Sequence, residues 1–296
     1  MTPINKLVVF GVGLIGGSFA LALRQANVVK HIIGVGRSQK NLDAAIALGI
    51  LDAASADPAT AVQHADFIFL ATPVGQMENL LLQIAPHLSP NVVITDGGST
   101  KQDVVAYARN ALGDRFSRFV PGHPIAGTEK SGAAAADATL YQNRKVILTP
   151  ELETDRAAIE AVSGAWGACL AEVHLMGASE HDALCAAISH LPHLLAFALV
   201  DWIANKPNHE ALLKFAAGGF RDFTRIASSS PEMWRDICLA NRSALLTELA
   251  DYRNELALLQ DCLERADAVQ LEKLFSRART TRDEWLARTQ SPSGVE

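Results

Sequence analysis

Three groups of residues have the types and spacing to do chemistry. The first is His123, set in Gly122-His123-Pro124-Ile125-Ala126-Gly127, a segment too short and too broken by glycine and proline to be helix or strand interior. A histidine held there is placed for chemistry, since its imidazole can exchange a proton near pH 7. The second is the turn Gly11-Val12-Gly13-Leu14-Ile15-Gly16, which follows the apolar run Leu7 to Phe10 and opens a helix. In that context the glycines allow a tight turn and close approach to a pyrophosphate, and the helix N-terminus offers amides to it. Gly11, Gly13, Leu14, Ile15 and Gly16 are therefore expected to bind a dinucleotide. The third is Ser189-His190-Leu191-Pro192-His193, whose H-x-x-H spacing hints at a metal. No third ligand stands at a sensible spacing and hydride chemistry needs none, so no metal is expected.

The position that reads the adenosine ribose lies about 20 residues past the last glycine. It falls at Gly36, followed by Arg37 and Ser38. An acidic side chain there would accept from the 2′-hydroxyl of NAD and repel the 2′-phosphate of NADP. Its absence, with a guanidinium and a hydroxyl next in line, favours NADP over NAD, the alternative being that Arg37 stacks on adenine or lies in solvent.

These groups need a frame. Apolar runs at Leu7–Phe10, His31–Val35, Asp66–Ala71 and Asn91–Thr95 alternate with helical segments, the pattern of a doubly wound parallel sheet. Thr72 and Pro73 cross the carboxyl edge of that sheet, where ligands bind in such folds. Ser99, in Asp96-Gly97-Gly98-Ser99-Thr100-Lys101, either faces the nicotinamide and substrate or caps the next helix. Lys145–Leu148 and Ala171–His174 read as further strands, and Thr154 as the cap of a helix ending near Trp166. From Ser179 the pattern turns to long helices: 181–204, irregular at Pro192; one very long helix from Ser230-Pro231 toward Arg265; and 267–287. The tail from Ser291 reads as disordered. The fold class is thus an α/β Rossmann-like domain, 1–175, followed by an all-α domain, 176–296. The wide apolar stripes of those helices predict burial in a homodimer, against a self-contained helical domain.

Of the 296 residues, 49% are hydrophobic and 20% charged, as in an ordinary globular protein. A net charge of -6 with no basic run excludes a nucleic-acid or anionic-membrane footprint. The four cysteines are scattered and read as free thiols. Leu7 to Leu23 carries no charge, as in a signal peptide, but the three glycines mark a strand-turn-helix instead. No stretch is expected to reach membrane length, and a cytoplasmic location follows.

The motifs Gly11–Ser18, Asp96–Lys101, Gly122–Gly127, Ser189–His193 and Gly219-Phe220-Arg221-Asp222-Phe223-Thr224-Arg225-Ile226-Ala227, completed by Pro231-Glu232-Met233-Trp234, occur in an order that resembles the prephenate/arogenate dehydrogenases of tyrosine biosynthesis. The resemblance covers almost the whole chain. It implies oxidative decarboxylation of prephenate to 4-hydroxyphenylpyruvate, or of arogenate to tyrosine, between a nucleotide-binding and a helical dimerisation domain. It implies that His123 accepts from the substrate's 4-hydroxyl, with Ser99 beside it on that hydroxyl or on the nicotinamide. Arg225 then matches the carboxylate-binding position; a bidentate guanidinium suits that task. His190 and His193 match positions lining the substrate pocket, and Glu129, six residues past His123, is expected either to gate the pocket or to help sense ligand. Arg221 either assists or pairs with Asp222. Trp234 and Asp222 match positions near the subunit contact. No chorismate mutase or regulatory domain, such as some relatives carry, is expected within these 296 residues. The competing readings are a β-hydroxyacid dehydrogenase, which would carry a catalytic lysine on the helical domain, and a non-catalytic NADP-binding regulator.

Overall fold

The computed structural model describes residues 3–128 and 130–290. Glu129 and the tail from residue 291 lie outside the described residues, and with them the expectations placed there.

The chain begins β1 (Ile4–Phe10), α1 (Leu14–Gln25), β2 (Val29–Val35), α2 (Gln39–Ala47), β3 (Ala53–Ser55), α3 (Pro58–Ala61), β4 (Phe67–Leu70), α4 (Val74–Ile84), β5 (Val93–Asp96), α5 (Gln102–Leu112) and β6 (Phe119–Val120). The six strands form one parallel sheet in the order β3-β2-β1-β4-β5-β6. This is the Rossmann order, in which the chain reverses direction next to β1 and leaves a crevice at the carboxyl edge. Val8, Val9 and Phe10 are fully buried or nearly so, as strands covered on both faces require. On one face Phe19 of α1 packs against Phe69 at 4.4 Å and Trp166 at 4.6 Å between ring centres. On the other, Met77 and Leu81 of α4 meet Val104 and Ala108 of α5.

Past β6 the chain leaves the sheet. β7 (Gly122–Pro124), β8 (Lys145–Leu148) and β9 (Glu172–Leu175) form a small second sheet, β7 antiparallel and β9 parallel to β8. His123 therefore sits in a three-residue strand opposite Ile147, where the sequence reads as a broken loop. The pairing supplies from another part of the chain an order that local sequence does not encode. Between β8 and β9 runs α6 (Arg156–Ala168), whose N-cap is Asp155 and not Thr154. Thr154 Oγ1 instead accepts from the Glu151 amide at 3.0 Å.

The helical part opens with α7 (Ala178–Cys185), a π turn (Ala186–His190) and α8 (Leu191–Ala204). The irregularity expected at Pro192 is this π turn, which ends two residues before the proline and absorbs its missing amide donor. Together they make a continuous run, Ala178–Ala204, of 27 residues, long and apolar enough by length and composition to cross a membrane. That corrects the expectation that no stretch reaches such length. Its His181, Asp182 and His190 are buried and hydrogen-bonded, to the Lys101 amide, to His123 and to Asn241. Then follow α9 (His209–Lys214), α10 (Gly218–Thr224), a 3₁₀ turn (Arg225–Ser228), α11 (Pro231–Ala240), α12 (Arg242–Glu264) and α13 (Ala268–Gln290). The single long helix expected from Ser230 is two, divided at Asn241, whose side chain is diverted to bond Asp182 and His190. Ser230 is the N-cap of α11 as the Ser-Pro pair predicts.

The chain divides into two compact units at 245/246. The first unit extends to Leu245 because Trp234 and Ile237 of α11 join the core on the α4 side of the sheet. Leu246 onward forms the second unit.

Candidate active site

A cleft of about 420 Å³ opens at the carboxyl edge of the Rossmann sheet. It is lined in part by the turn between β1 and α1. Gly11 has φ +87°, and a Cβ there would stand 2.4 Å from the Ala71 carbonyl oxygen; one at Gly16 would stand 2.2 Å from the oxygen of Gly11. Neither position tolerates a side chain, so both serve the turn's own packing. At Gly13 nothing lies within 4 Å of where a Cβ would be. That position, with Leu14 and Ile15, faces the cleft, where the first amides of α1 have no helical partner. Thr72 and Pro73 line the same cleft, and the Thr72 Oγ1 is buried with no hydrogen-bond partner. A glycine cradle and an orphaned hydroxyl fit a dinucleotide.

Arg37 lines the cleft, 74% exposed at its side chain, and its guanidinium lies 3.6 Å from Glu232 at the start of α11. Ser38 is the N-cap of α2, its Oγ accepting from the Asn41 amide at 3.3 Å. A Cβ at Gly36 would meet only Leu42, at 3.5 Å, so packing does not dictate the absence of a side chain there.

The same cleft carries the residues for chemistry. Ser99 and His123 both line the cleft. Ser99 caps nothing: the N-cap of α5 is Lys101, and the amides of Lys101 and Gln102 are taken by the Asp182 carboxylate at 2.8 and 2.9 Å. The segment carrying Ser99 also holds a fully buried ion pair, Lys101 with Asp96. Lys101 Nζ also donates to the Gly122 carbonyl at 2.6 Å, while Asp96 accepts from the amides of Gly98 (2.7 Å) and Gly122 (3.0 Å). The pair thereby clamps the Ser99 loop to the strand that holds His123. Burial lowers the Lys101 pKa, although Asp96 favours the ammonium.

His123 Nδ1 lies 2.8 Å from His181 Nε2, and His181 Nδ1 lies 2.8 Å from Asp182 Oδ1. Burial above all, with the charge of Lys101 adding to it, pushes the His123 pKa well below its ordinary value, so its imidazole is neutral at pH 7. Asp182 is held below the usual carboxylate range: burial raises it, but hydrogen bonds from His181 and from the amides of Gln102 and Lys101 outweigh that. His123 Nδ1, His181 Nε2 and Cys185 Sγ lie within 4.8 Å of one another and could in principle hold a soft metal. The Cys185 thiol is pushed up to about 12 by burial, and both imidazoles are already engaged. A hydrogen-bonded cluster accounts for all three.

The remaining expected residues do not share the cleft lining. His190 is fully buried, its Nδ1 accepting from Asn241 at 3.0 Å, and burial pushes its pKa down to about 4. His193 donates from Nδ1 to the Ser189 carbonyl at 2.9 Å and stacks on Trp234, ring centres 3.6 Å apart. Arg221 lies 3.8 Å from Asp222 in an exposed pair. Arg225 heads the exposed 3₁₀ turn after α10. Sequence reasoning passed over His181, Asp182 and Asn241. The available sign was a His-Asp pair inside an otherwise apolar helix, where charge is costly unless bonded.

A Rossmann cradle sharing one cleft with a depressed-pKa histidine defines a dinucleotide-dependent dehydrogenase. Residues 19–175 match the prephenate dehydrogenase nucleotide-binding domain and residues 177–277 the prephenate dehydrogenase dimerization domain. The prephenate dehydrogenase of Bacillus subtilis (strain 168) is 41% identical over 281 residues, 94% of this chain and 76% of that one. The crystal structure of prephenate dehydrogenase from A. aeolicus, in complex with hydroxyphenyl propionate and NAD+, superposes with a TM-score of 0.89 at 35% identity, covering 95% of this chain and 98% of that one. Synechocystis arogenate dehydrogenase gives 0.78 at 31% identity, covering 95% and 99%. The chain belongs to the prephenate dehydrogenase family.

Proposed function

We propose that the protein oxidises and decarboxylates prephenate, arogenate or both in tyrosine biosynthesis, using NADP in preference to NAD. The observation that carries this is one cleft lined by His123, Ser99 and the Gly13–Ile15 turn together. The bound nicotinamide would supply the hydride acceptor. His123, neutral at pH 7, takes the 4-hydroxyl proton as electron density builds on that oxygen. Ser99 orients the hydroxyl or the nicotinamide. Arg225 holds a carboxylate of the substrate, with His190, His193, Arg221 and Glu129 as further substrate-binding residues. The neutral state of His190 suits hydrogen bonding rather than charge pairing. Preference for NADP is supported by Arg37 on the cleft lining beside a glycine that could carry a side chain and does not.

The working form is a cytoplasmic homodimer joined through the helical domain. The matched dimerization domain supports this, as do Ile188, Trp202, Phe215 and Phe223, each more than half exposed in the single chain. Only 28% of the apolar window of Ala178–Ala204 is buried, leaving a face for a partner to cover. The test is incubation with prephenate and with arogenate, each with NADP and NAD, reading reduced nicotinamide and the aromatic product. Turnover is expected with at least one substrate and faster with NADP; no turnover in any of the four pairings refutes the reading.

A further inference from the structure

The residue on the cleft wall is one end of a buried chain. Asp182 is buried, and its two oxygens accept from the amides of Lys101 and Gln102. A carboxylate so placed and held below its usual pKa is ionised and can only accept. His181 Nδ1, 2.8 Å away, must therefore be the donor. We take His181 to carry its proton on Nδ1 alone, which leaves a lone pair on Nε2, 2.8 Å from His123 Nδ1. Were His123 in the alternative tautomer, two lone pairs would face each other at hydrogen-bond distance. The Cys185 thiol, 3.4 Å from His181 Nε2, stays protonated and leaves that nitrogen an acceptor.

We propose that His181 and Asp182 are positioning residues that fix His123 in the tautomer protonated on Nδ1, so that Nε2 is presented to the cleft as a proton acceptor. This rests on the reading of His123 as the acceptor for the substrate hydroxyl. The proton leaves the hydroxyl oxygen and joins His123 Nε2 as that O–H bond breaks. His123 becomes an imidazolium whose Nδ1–H remains bonded to His181, with the Asp182 charge behind it. Orientation and tautomer control by a buried carboxylate is the service the aspartate renders in a serine-protease triad, here passed through a second imidazole. Asp182 also closes the N-terminus of α5, which ties the base to the loop carrying Ser99.

Nitrogen-15 NMR of the histidine-labelled protein, with His123 assigned by loss of its signals in His123→Asn, reads the tautomer without turnover. Wild type should show His123 Nδ1 pyrrole-like and Nε2 pyridine-like, and His181→Leu should convert His123 to the Nε2–H form. In His181→Leu, kcat should fall on the order of 100-fold while the substrate KM and the cofactor Kd stay within a few-fold. His181→Gln, whose amide oxygen can accept from Nδ1–H, should recover most of that loss. Finding His123 as Nε2–H in wild type overturns the proposal. So does undiminished kcat in His181→Leu, or equal impairment of the Leu and Gln variants. If wild type turns over neither substrate with either cofactor, the functional reading fails, and the tautomer measured by NMR still decides this proposal.

Discussion

Replacing Lys101 by methionine removes the ammonium of the buried pair while keeping the stem's bulk. The Asp96 carboxylate would then be a buried charge whose remaining donors are the amides of Gly98 and Gly122, and the Gly122 carbonyl would lose its bond from Nζ. Both partners are fully buried, so screening by water does not reduce the loss. Breaking such a pair costs about 3–5 kcal/mol. The two amides left on the carboxylate point to the lower half of that range. For a unit of this size it corresponds to a drop in Tm of roughly 6–15 °C. Adding Asp96→Asn removes the orphaned charge, and its amide oxygen still accepts from one glycine, so the double variant should be more stable than Lys101→Met alone. Urea denaturation followed by circular dichroism measures each difference. A loss below about 1 kcal/mol for Lys101→Met, or a double variant weaker than the single one, would refute the idea that this pair clamps the Ser99 loop to the His123 strand.

His190 titrates near 6.5 when unfolded and at about 4 when folded. As pH falls through that window the unfolded chain binds a proton that the folded chain refuses, so stability drops by up to roughly 3 kcal/mol. Urea midpoints at pH 7 and pH 4.5 should converge in His190→Asn relative to wild type; an identical acid loss in both assigns it to other groups. Gly36→Asp has room for its side chain and should weaken NADP binding at least about tenfold by calorimetry, with Tm little changed, through carboxylate–phosphate repulsion. Unchanged NADP affinity would remove this corner from cofactor choice. Arg225→Ala should raise the KM for prephenate about 10- to 100-fold, the worth of a charge-assisted bidentate bond, and an unaltered KM would exclude Arg225 from carboxylate binding.

The Rossmann half is legible because its signals are local. Continuous apolar runs become the buried strands β1, β4 and β5, and the glycine spacing marks the turn that Gly11 and Gly16 are packed into. The segment around His123 was legible as special and misread as a loop, since its strand character comes from pairing with Ile147, 24 residues on. Thr154 and Ser99 resemble caps, but capping was decided elsewhere: Asp155 for α6, and for α5 the Asp182 carboxylate, which lies 80 positions from Gln102. Asn241 breaks the long helix because its amide has buried acceptors to satisfy, and no local pattern announces that. The same long-range bonding hid His181 and Asp182, which in sequence are two polar residues on a helix.

The most direct test of the central claim compares wild type with His123→Asn for production of reduced nicotinamide from prephenate or arogenate, alongside cofactor binding by calorimetry. Wild type should turn over. The variant should lose on the order of 100-fold or more in kcat while binding the cofactor as before, because only the acceptor for the hydroxyl proton is gone. Wild-type turnover in His123→Asn would contradict the account.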